Sequence, residues 1–329
     1  MRYATIKIAL IIGLPVTFCI YYYNKLTIYY PEVSALRTKM DYIDTCVNRS
    51  DVVFLGSSRT LRHINPRIID SIDGVNSYNL GSEGEKMAEI RMMLGMMLER
   101  GWMPRLLVIN VDYYSMEVSK PVFSFVELLT YAERDPVVYK SMAEVQDVYA
   151  CRWKYPFYRL QRLTNINDGF KVLGLFYSRD ALKRKMGERE TKGPGLPAYK
   201  GFEPVSEPYA ETYMNPFKEV LEQKGLDLLQ DVIDTCKERG IKIVLVTAPM
   251  YKDYKQVFLN CHEILARVGQ LAARDHVPYY NMLDDSLSQH KEYFFNFVHL
   301  NERGADLYSI KLANLLQETD TVVQSARHI

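Results

Sequence analysis

Ser58 and His299 are the residues whose types and positions could do chemistry. Ser58 stands in Val52-Val53-Phe54-Leu55-Gly56-Ser57-Ser58-Arg59, which reads as a short buried strand running straight into a serine turn. His299 closes Asn296-Phe297-Val298-His299, a loop just ahead of the last helix-forming stretch. A hydroxyl is a weak nucleophile until a neighbouring base takes its proton, and imidazole is the commonest such base. A serine and a histidine far apart in sequence, each at the edge of an α/β core, therefore point to acyl transfer through a serine ester. Each feature alone is ordinary, since Gly-Ser-Ser is a common turn and a histidine before a helix is usually a cap or a packed residue. Their occurrence in order is what marks a site. Ser57 is an alternative to Ser58, and His63 a weaker alternative to His299.

The elements that must position these residues alternate along the chain. Apolar runs predict strands over 51–55, 75–80, 106–111, 241–246 and 277–282. Between them, helices are expected over 85–100, where Met87, Ile90, Leu94 and Met97 share a face, over 217–239, over 257–274 and over 302–317. Asn215-Pro216 has the form of a cap followed by proline at the first helical position, and Gly225 could break the helix that follows. Continuous apolar strands joined by helices imply a parallel five-stranded sheet covered on both faces, a flavodoxin-like three-layer α/β/α fold. Ligands of such sheets bind at the carboxyl ends of the strands. Ser58 would follow the first strand there, with helix-start amides facing a developing oxyanion. Gly81 ends the second strand and would let backbone approach the same point, and Asp112 ends the third.

Composition frames the class. With 329 residues, 48% hydrophobic and 25% charged, the chain suits one large packed domain or two ordinary ones. The formal net charge of +1 gives no global attraction to nucleic acid or to a membrane surface, so any basic surface must be local. Twenty-five tyrosines suit polar or carbohydrate-like contacts, although tyrosine is also ordinary core filler. No phosphate-binding Gly-Lys loop, Gly-x-Ser-x-Gly elbow or metal-spaced His/Cys cluster occurs, so neither a cofactor nor a metal is expected. Cys46, Cys151, Cys236 and Cys261 read as buried thiols without the close spacing of a redox or metal motif.

The N-terminus predicts a location. From Ala4 to Tyr23 the only charge is Lys7. About twenty helical residues cross a bilayer core of roughly 30 Å. Tyr21, Tyr22, Tyr23, Tyr29 and Tyr30 then follow at interface depth, and no small-residue cleavage site ends the segment. Phe18 before Cys19 opposes lipoprotein processing. The expectation is an uncleaved N-terminal transmembrane helix over 1–30, single-pass in the cytoplasmic membrane. Arg2 and Lys7 keep that end inside, and residues 31–329 form an extracytoplasmic α/β domain. Within it the alternation breaks over 119–213, an aromatic and basic stretch followed by charged and Gly/Pro-rich runs. That stretch is too long for a loop and reads as a helical insertion or lid, or else as a solvated decoration.

The ordered set resembles the SGNH (GDSL-type) hydrolase superfamily. Gly56-Ser57-Ser58 resembles its first block, Asn79-Leu80-Gly81 its second, and Asn296 to His299 with Leu300-Asn301 and Gly304-Ala305 its last. Phe54 to Arg59 with His63 and Pro66 is also similar to membrane-anchored bacterial members near cell-envelope polysaccharide genes. The resemblance spans about 48–118 and 217–318. It implies a serine esterase or O-acyltransferase acting on envelope or exported polysaccharide, with a membrane acyl-exporting protein as partner. It implies Ser58 as nucleophile, His299 as base, Asn296 orienting His299, and the Ser58 and Gly81 amides as oxyanion donors.

Two positions depart from the family pattern. Asp112 stands where the third block has an asparagine that donates to the oxyanion, and a carboxylate there cannot donate. Asn296 stands where the last block has an aspartate, and in a serine triad that exchange costs about 10⁴ in rate. Asp284 or Asp285 could supply the carboxylate instead. A non-catalytic SGNH-like protein that binds polysaccharide or scaffolds a biosynthetic complex is the alternative these departures favour.

Overall fold

A computed structural model describes residues 13, 35–119, 132, 135–145 and 199–319. These fall into two units, the helix Pro136–Val145 in one and residues 35–119 and 199–319 in the other. In chain order the elements are α1 (Ala35–Thr45), β1 (Val52–Gly56), α2 (Ser58–His63), α3 (Pro66–Asp73), β2 (Ser77–Asn79), α4 (Met87–Glu99) and β3 (Leu106–Asn110). They continue with α5 (Pro136–Val145), α6 (Gln223–Glu238), β4 (Lys242–Thr247), α7 (Cys261–Arg274), β5 (Tyr279–Asn281) and α8 (Glu302–Thr319). No helix among the described residues is long and apolar enough to cross a membrane. The expected anchor over 1–30, apart from residue 13, lies outside the described residues, as does most of 119–213.

The strands form one parallel sheet in the order β2-β1-β3-β4-β5. This is the flavodoxin-like order, whose switch point lies between β1 and β3. Along β1, β3 and β4 nearly every residue is buried, as a sheet covered on both faces requires. Side chains alternate across the sheet, so Val52, Phe54, Leu106, Val108, Val244 and Val246 share one face. They join a core with Ile69 of α3, Leu265 of α7 and Tyr308, Leu312 and Leu316 of α8. Burying one such side chain contributes about 1.5–3 kcal/mol. On the other side of the sheet α4 and α6 pack together, and α6 lies against β4.

Local chemistry sets the element ends. Asn65 caps α3 by accepting from the Arg67 amide at 3.2 Å, with Pro66 in the first turn. Before α4, the Glu89 carboxylate reaches back to the Lys86 amide at 3.1 Å. In α5, Asp135 accepts from the amides of Val137 and Val138 at 2.8 and 3.1 Å.

Several sequence-based boundaries are corrected. The helix expected from Phe217 begins at Gln223, because Phe217 pairs with the chain at Phe258. Its amide donates to Val257 O at 2.9 Å, and its carbonyl accepts from the Leu259 amide at 3.0 Å. Tertiary pairing thus overrides the Asn215-Pro216 signal, while α6 runs unbroken through Gly225. The helix expected from Val257 likewise starts at Cys261, after a short 3₁₀ turn over Lys252–Gln256.

Residues 199–213, expected within a helical insertion, form an irregular strap instead. The strap's backbone bonds Asn79 through Lys200, Leu61 through Glu203, Glu302 through Val205 and Phe295 through Ala210. Of the described cysteines, Cys236 and Cys261 are buried free thiols, whereas Cys46 is free and partly exposed.

Candidate active site

The carboxyl end of β1 delivers Ser58. Gly56 closes the strand at φ 143°, a conformation glycine alone adopts readily, and an added Cβ would lie 2.7 Å from Asn110 O. Ser57 then caps α2, its hydroxyl accepting from the Arg59 amide at 3.2 Å. Ser58 is the first residue of α2, where a helix has no internal acceptor for its amide. Its hydroxyl lies 2.9 Å from Nε2 of His299. That distance lets the imidazole take the hydroxyl proton directly.

His299 is held by a turn closed on itself. Its carbonyl accepts from the Phe295 amide at 2.8 Å, and Phe294 and Leu300 form a bridge across the turn. Asn296 Oδ1 accepts from the amides of Val298 and His299 at 2.9 and 2.8 Å. Asn296 therefore orients His299 through the backbone, not through the ring nitrogen as a triad acid would. On the far side, His63 Nε2 accepts from the Leu300 amide at 3.0 Å. His63 is fully buried with its ring centroid 6.0 Å from that of His299. It supports the turn and does not face the nucleophile, so its place as an alternative base is corrected.

No described side chain hydrogen-bonds Nδ1 of His299. Asp284 accepts instead from Tyr254 and pairs with Lys255, each at 2.9 Å. Asp285 accepts from the Leu287 amide at 2.9 Å and from Lys311 at 2.6 Å. Neither supplies the missing carboxylate. Burial, with lesser repulsion from the Arg62 and Arg59 guanidiniums, pushes His299 down to about 3. The ring is thus a neutral acceptor near neutral pH, but a weak base.

Asp112 does not face this point as an oxyanion group. It is fully buried, and its carboxylate accepts from the Ser57 hydroxyl, the Arg59 guanidinium and Asn110 Nδ2, the last at 3.0 Å. The bond to Asp112 also removes Ser57 as an alternative nucleophile, since Ser57 is itself fully buried. Arg59, also fully buried, donates from Nη1 to Ala248 O at 3.1 Å. The ion pair thereby ties the serine turn to the ends of β3 and β4.

Gly81 packs closely against α2. A Cβ there would lie 2.6 Å from Thr60 Cβ and 2.7 Å from the Leu61 nitrogen. Its amide donates to Asn79 Oδ1 at 2.9 Å. Asn79 Nδ2 in turn donates to the carbonyls of Thr60 and Ile64 at 2.6 and 2.8 Å. In this state the Gly81 amide has a partner of its own. It must leave Asn79 to serve an oxyanion.

Sequence reasoning missed two residues here. Arg59 stood beside Ser58 in the quoted block, where a charge following an apolar strand was a readable signal. Arg62 pairs with Glu83 and lowers the His299 pKa from one helical turn beyond Ser58.

No protein-family model matches the chain, and no curated protein matches it. Among solved structures, it is similar to a proposed acylhydrolase from Bacteroides fragilis, at 13% identity and TM-score 0.43 over 88% of this chain and 97% of that one. It is also similar to a GDSL-like lipase from Bacteroides thetaiotaomicron, at 12% identity and TM-score 0.40 over 82% and 88%. It is similar as well to a proposed platelet activating factor from Streptococcus pneumonia, at 12% identity and TM-score 0.43 over 94% and 99%. These likenesses are distant, and fold and site rest on the strand order and side-chain geometry above.

Proposed function

We propose that this chain is an SGNH-like serine esterase or O-acyltransferase. The supporting observation is the 2.9 Å approach of the Ser58 hydroxyl to His299 Nε2 at the carboxyl edge of a parallel sheet. In this reading Ser58 Oγ attacks an ester carbonyl carbon while His299 takes its proton. The tetrahedral oxyanion is met by the Ser58 amide at the start of α2. Protonated His299 then hands its proton to the leaving alkoxide, and water or a sugar hydroxyl releases the acyl group. The substrate would be an acylated cell-envelope or exported polysaccharide, reached by a domain held at the membrane through residues 1–30, with a membrane protein supplying the acyl group. The composition of the N-terminal segment and the resemblance of the serine block support those last features.

That no described side chain hydrogen-bonds Nδ1 of His299 favours a second reading, a protein that keeps the fold and binds polysaccharide without turnover. Hydrolysis of p-nitrophenyl acetate by residues 31–329 beside the Ser58→Ala variant separates the two. Hydrolysis lost in the variant supports the enzyme; equal rates support the binding protein.

A further inference from the structure

We propose that His63 is a positioning residue of the reaction, a strut that sets His299 against Ser58 through the Leu300 amide. This inference rests on the serine-ester reading and adds to it a residue that meets neither the substrate nor the proton in transit.

One short helix carries both ends of the link. Ser58 opens α2 and His63 closes it, five residues on and about 7.5 Å along the axis. His63 is fully buried, and its Nε2 accepts from the Leu300 amide at 3.0 Å. Leu300, itself fully buried, follows His299 directly in the chain. The nucleophile and the backbone of its base are thus fastened to opposite ends of the same helix. The His63 and His299 rings stand at 87° with centroids 6.0 Å apart, which bounds the base on that side.

The strut is itself anchored. His63 O accepts from Ser309 Oγ of α8 at 3.3 Å, and the Asn65 amide donates to the same hydroxyl at 2.8 Å. Because α8 begins at Glu302, the helix of the nucleophile is tied both to the turn of the base and to the helix that follows it. Asn296 holds the amides of Val298 and His299 from within the turn, and His63 ties that turn to α2. Accepting at Nε2 requires a bare nitrogen there, so the neutral ring carries its proton on Nδ1. Burial, with repulsion from His299, Arg59 and Arg62, holds His63 well below the usual imidazole range, so the acceptor persists through the working pH.

In the step, the Ser58 Oγ–carbon bond forms as the carbonyl π pair moves onto oxygen, and the Ser58 proton goes to His299 Nε2. His63 exchanges no proton and forms no bond to the substrate. It keeps the 2.9 Å approach of Ser58 to His299 in place before the reaction starts. Without its acceptor the Leu300 amide would be stranded in the core, and the turn would shift to satisfy it. A displacement of about 1 Å at the base costs about 10²-fold in rate.

The test uses the full chain and compares wild type, Ser58→Ala, His63→Leu and His63→Gln in p-nitrophenyl acetate hydrolysis, with kcat counted per Ser58 titrated by a fluorophosphonate. His63→Leu removes the acceptor and is expected to lower that kcat about 10- to 10²-fold. KM should stay within about twofold, the pattern of a loss felt in the transition state. His63→Gln offers an amide oxygen to the Leu300 amide and is expected to recover most of the loss. A merely structural role would lower the amount of titratable Ser58 and leave kcat per titrated serine unmoved. An unmoved kcat, a loss confined to KM, or equal losses in both His63 variants overturn this inference while leaving Ser58 a working nucleophile. Wild type that is neither labelled at Ser58 nor more active than Ser58→Ala overturns the serine-ester reading and this inference with it. Should the variants fold poorly, the ring ¹⁵N spectrum of wild type at pH 7 decides. A proton on Nδ1 and a bare Nε2, the tautomer free histidine populates less, supports the strut; a proton on Nε2 overturns it.

Discussion

Arg59 and Asp112 form a fully buried ion pair that joins the turn carrying Ser58 to the end of β3. Two charges taken out of water gain little net stability as a pair, but stranding one of them is costly. Asp112 also accepts from the Ser57 hydroxyl, so the pair fixes the cap from which α2 and Ser58 start. Asp112→Ala is expected to destabilise the domain by about 3–5 kcal/mol in urea unfolding, because Arg59 would remain buried without its carboxylate. A loss under about 1 kcal/mol would mean that Arg59 swings to solvent and that the pair does not hold the serine turn.

The same guanidinium, together with Arg62 and above all burial, depresses His299 to about 3. An imidazole in water titrates near 6.5, and a base must be neutral to take the Ser58 proton. Because the folded pKa is lowered, protonation that would disable the site comes later on acidification. The acid limb of kcat/KM is therefore expected near pH 3 to 4, with a nearly flat profile from there to neutrality, as read by rapid mixing into acid buffers. A limb near 6.5 would show that the ring is hydrated or partnered in solution.

Asn296 makes the complementary case. Its oxygen holds the amides of Val298 and His299, and an aspartate could make the same two bonds. The added charge three residues from His299 would favour imidazolium and strengthen the base. Asn296→Asp is expected to move the acid limb upward from about 3 and to raise kcat/KM at neutral pH by about tenfold. An unmoved limb would show that this position acts on the backbone alone.

Much of the sheet was readable because buried parallel strands are runs of β-branched and aliphatic residues, as in Val52 to Leu55 and Leu106 to Ile109. The edge strands proved shorter than their apolar runs, β2 only Ser77–Asn79 and β5 only Tyr279–Asn281, since pairing exists there on one side alone. The approach of Ser58 to His299 was legible from block order. Asn296 did announce that a carboxylate is missing, but whether Asp284 or Asp285 replaced it depended on contacts across the fold with Tyr254, Lys255 and Lys311. The charge of Arg59 was readable but its partner Asp112, 53 residues away, was not, and no periodicity encodes the local bond that engages the Gly81 amide with Asn79.

Glu85 gives a prediction about stability rather than turnover. It lies in the connection between β2 and α4, fully buried, with neither carboxyl oxygen hydrogen-bonded. Burial, reinforced by Glu89 and opposed by Lys39, raises its pKa well above the ordinary carboxylate range. The folded state therefore keeps a proton that the unfolded state releases above about 4.5, and stability falls as pH rises through that window. Lys39 has the opposite sign, since burial lowers it from 10.5 to about 7 and the folded state gains stability only above 7. Between pH 5 and 7 the Glu85 effect is thus not masked by Lys39. Glu85→Gln keeps the shape and removes the titration, so its unfolding free energy should gain on wild type by about 1 kcal/mol per pH unit over that range. Parallel curves for the two proteins in urea unfolding at pH 5, 6 and 7 would show instead that Glu85 is ionised in the folded protein.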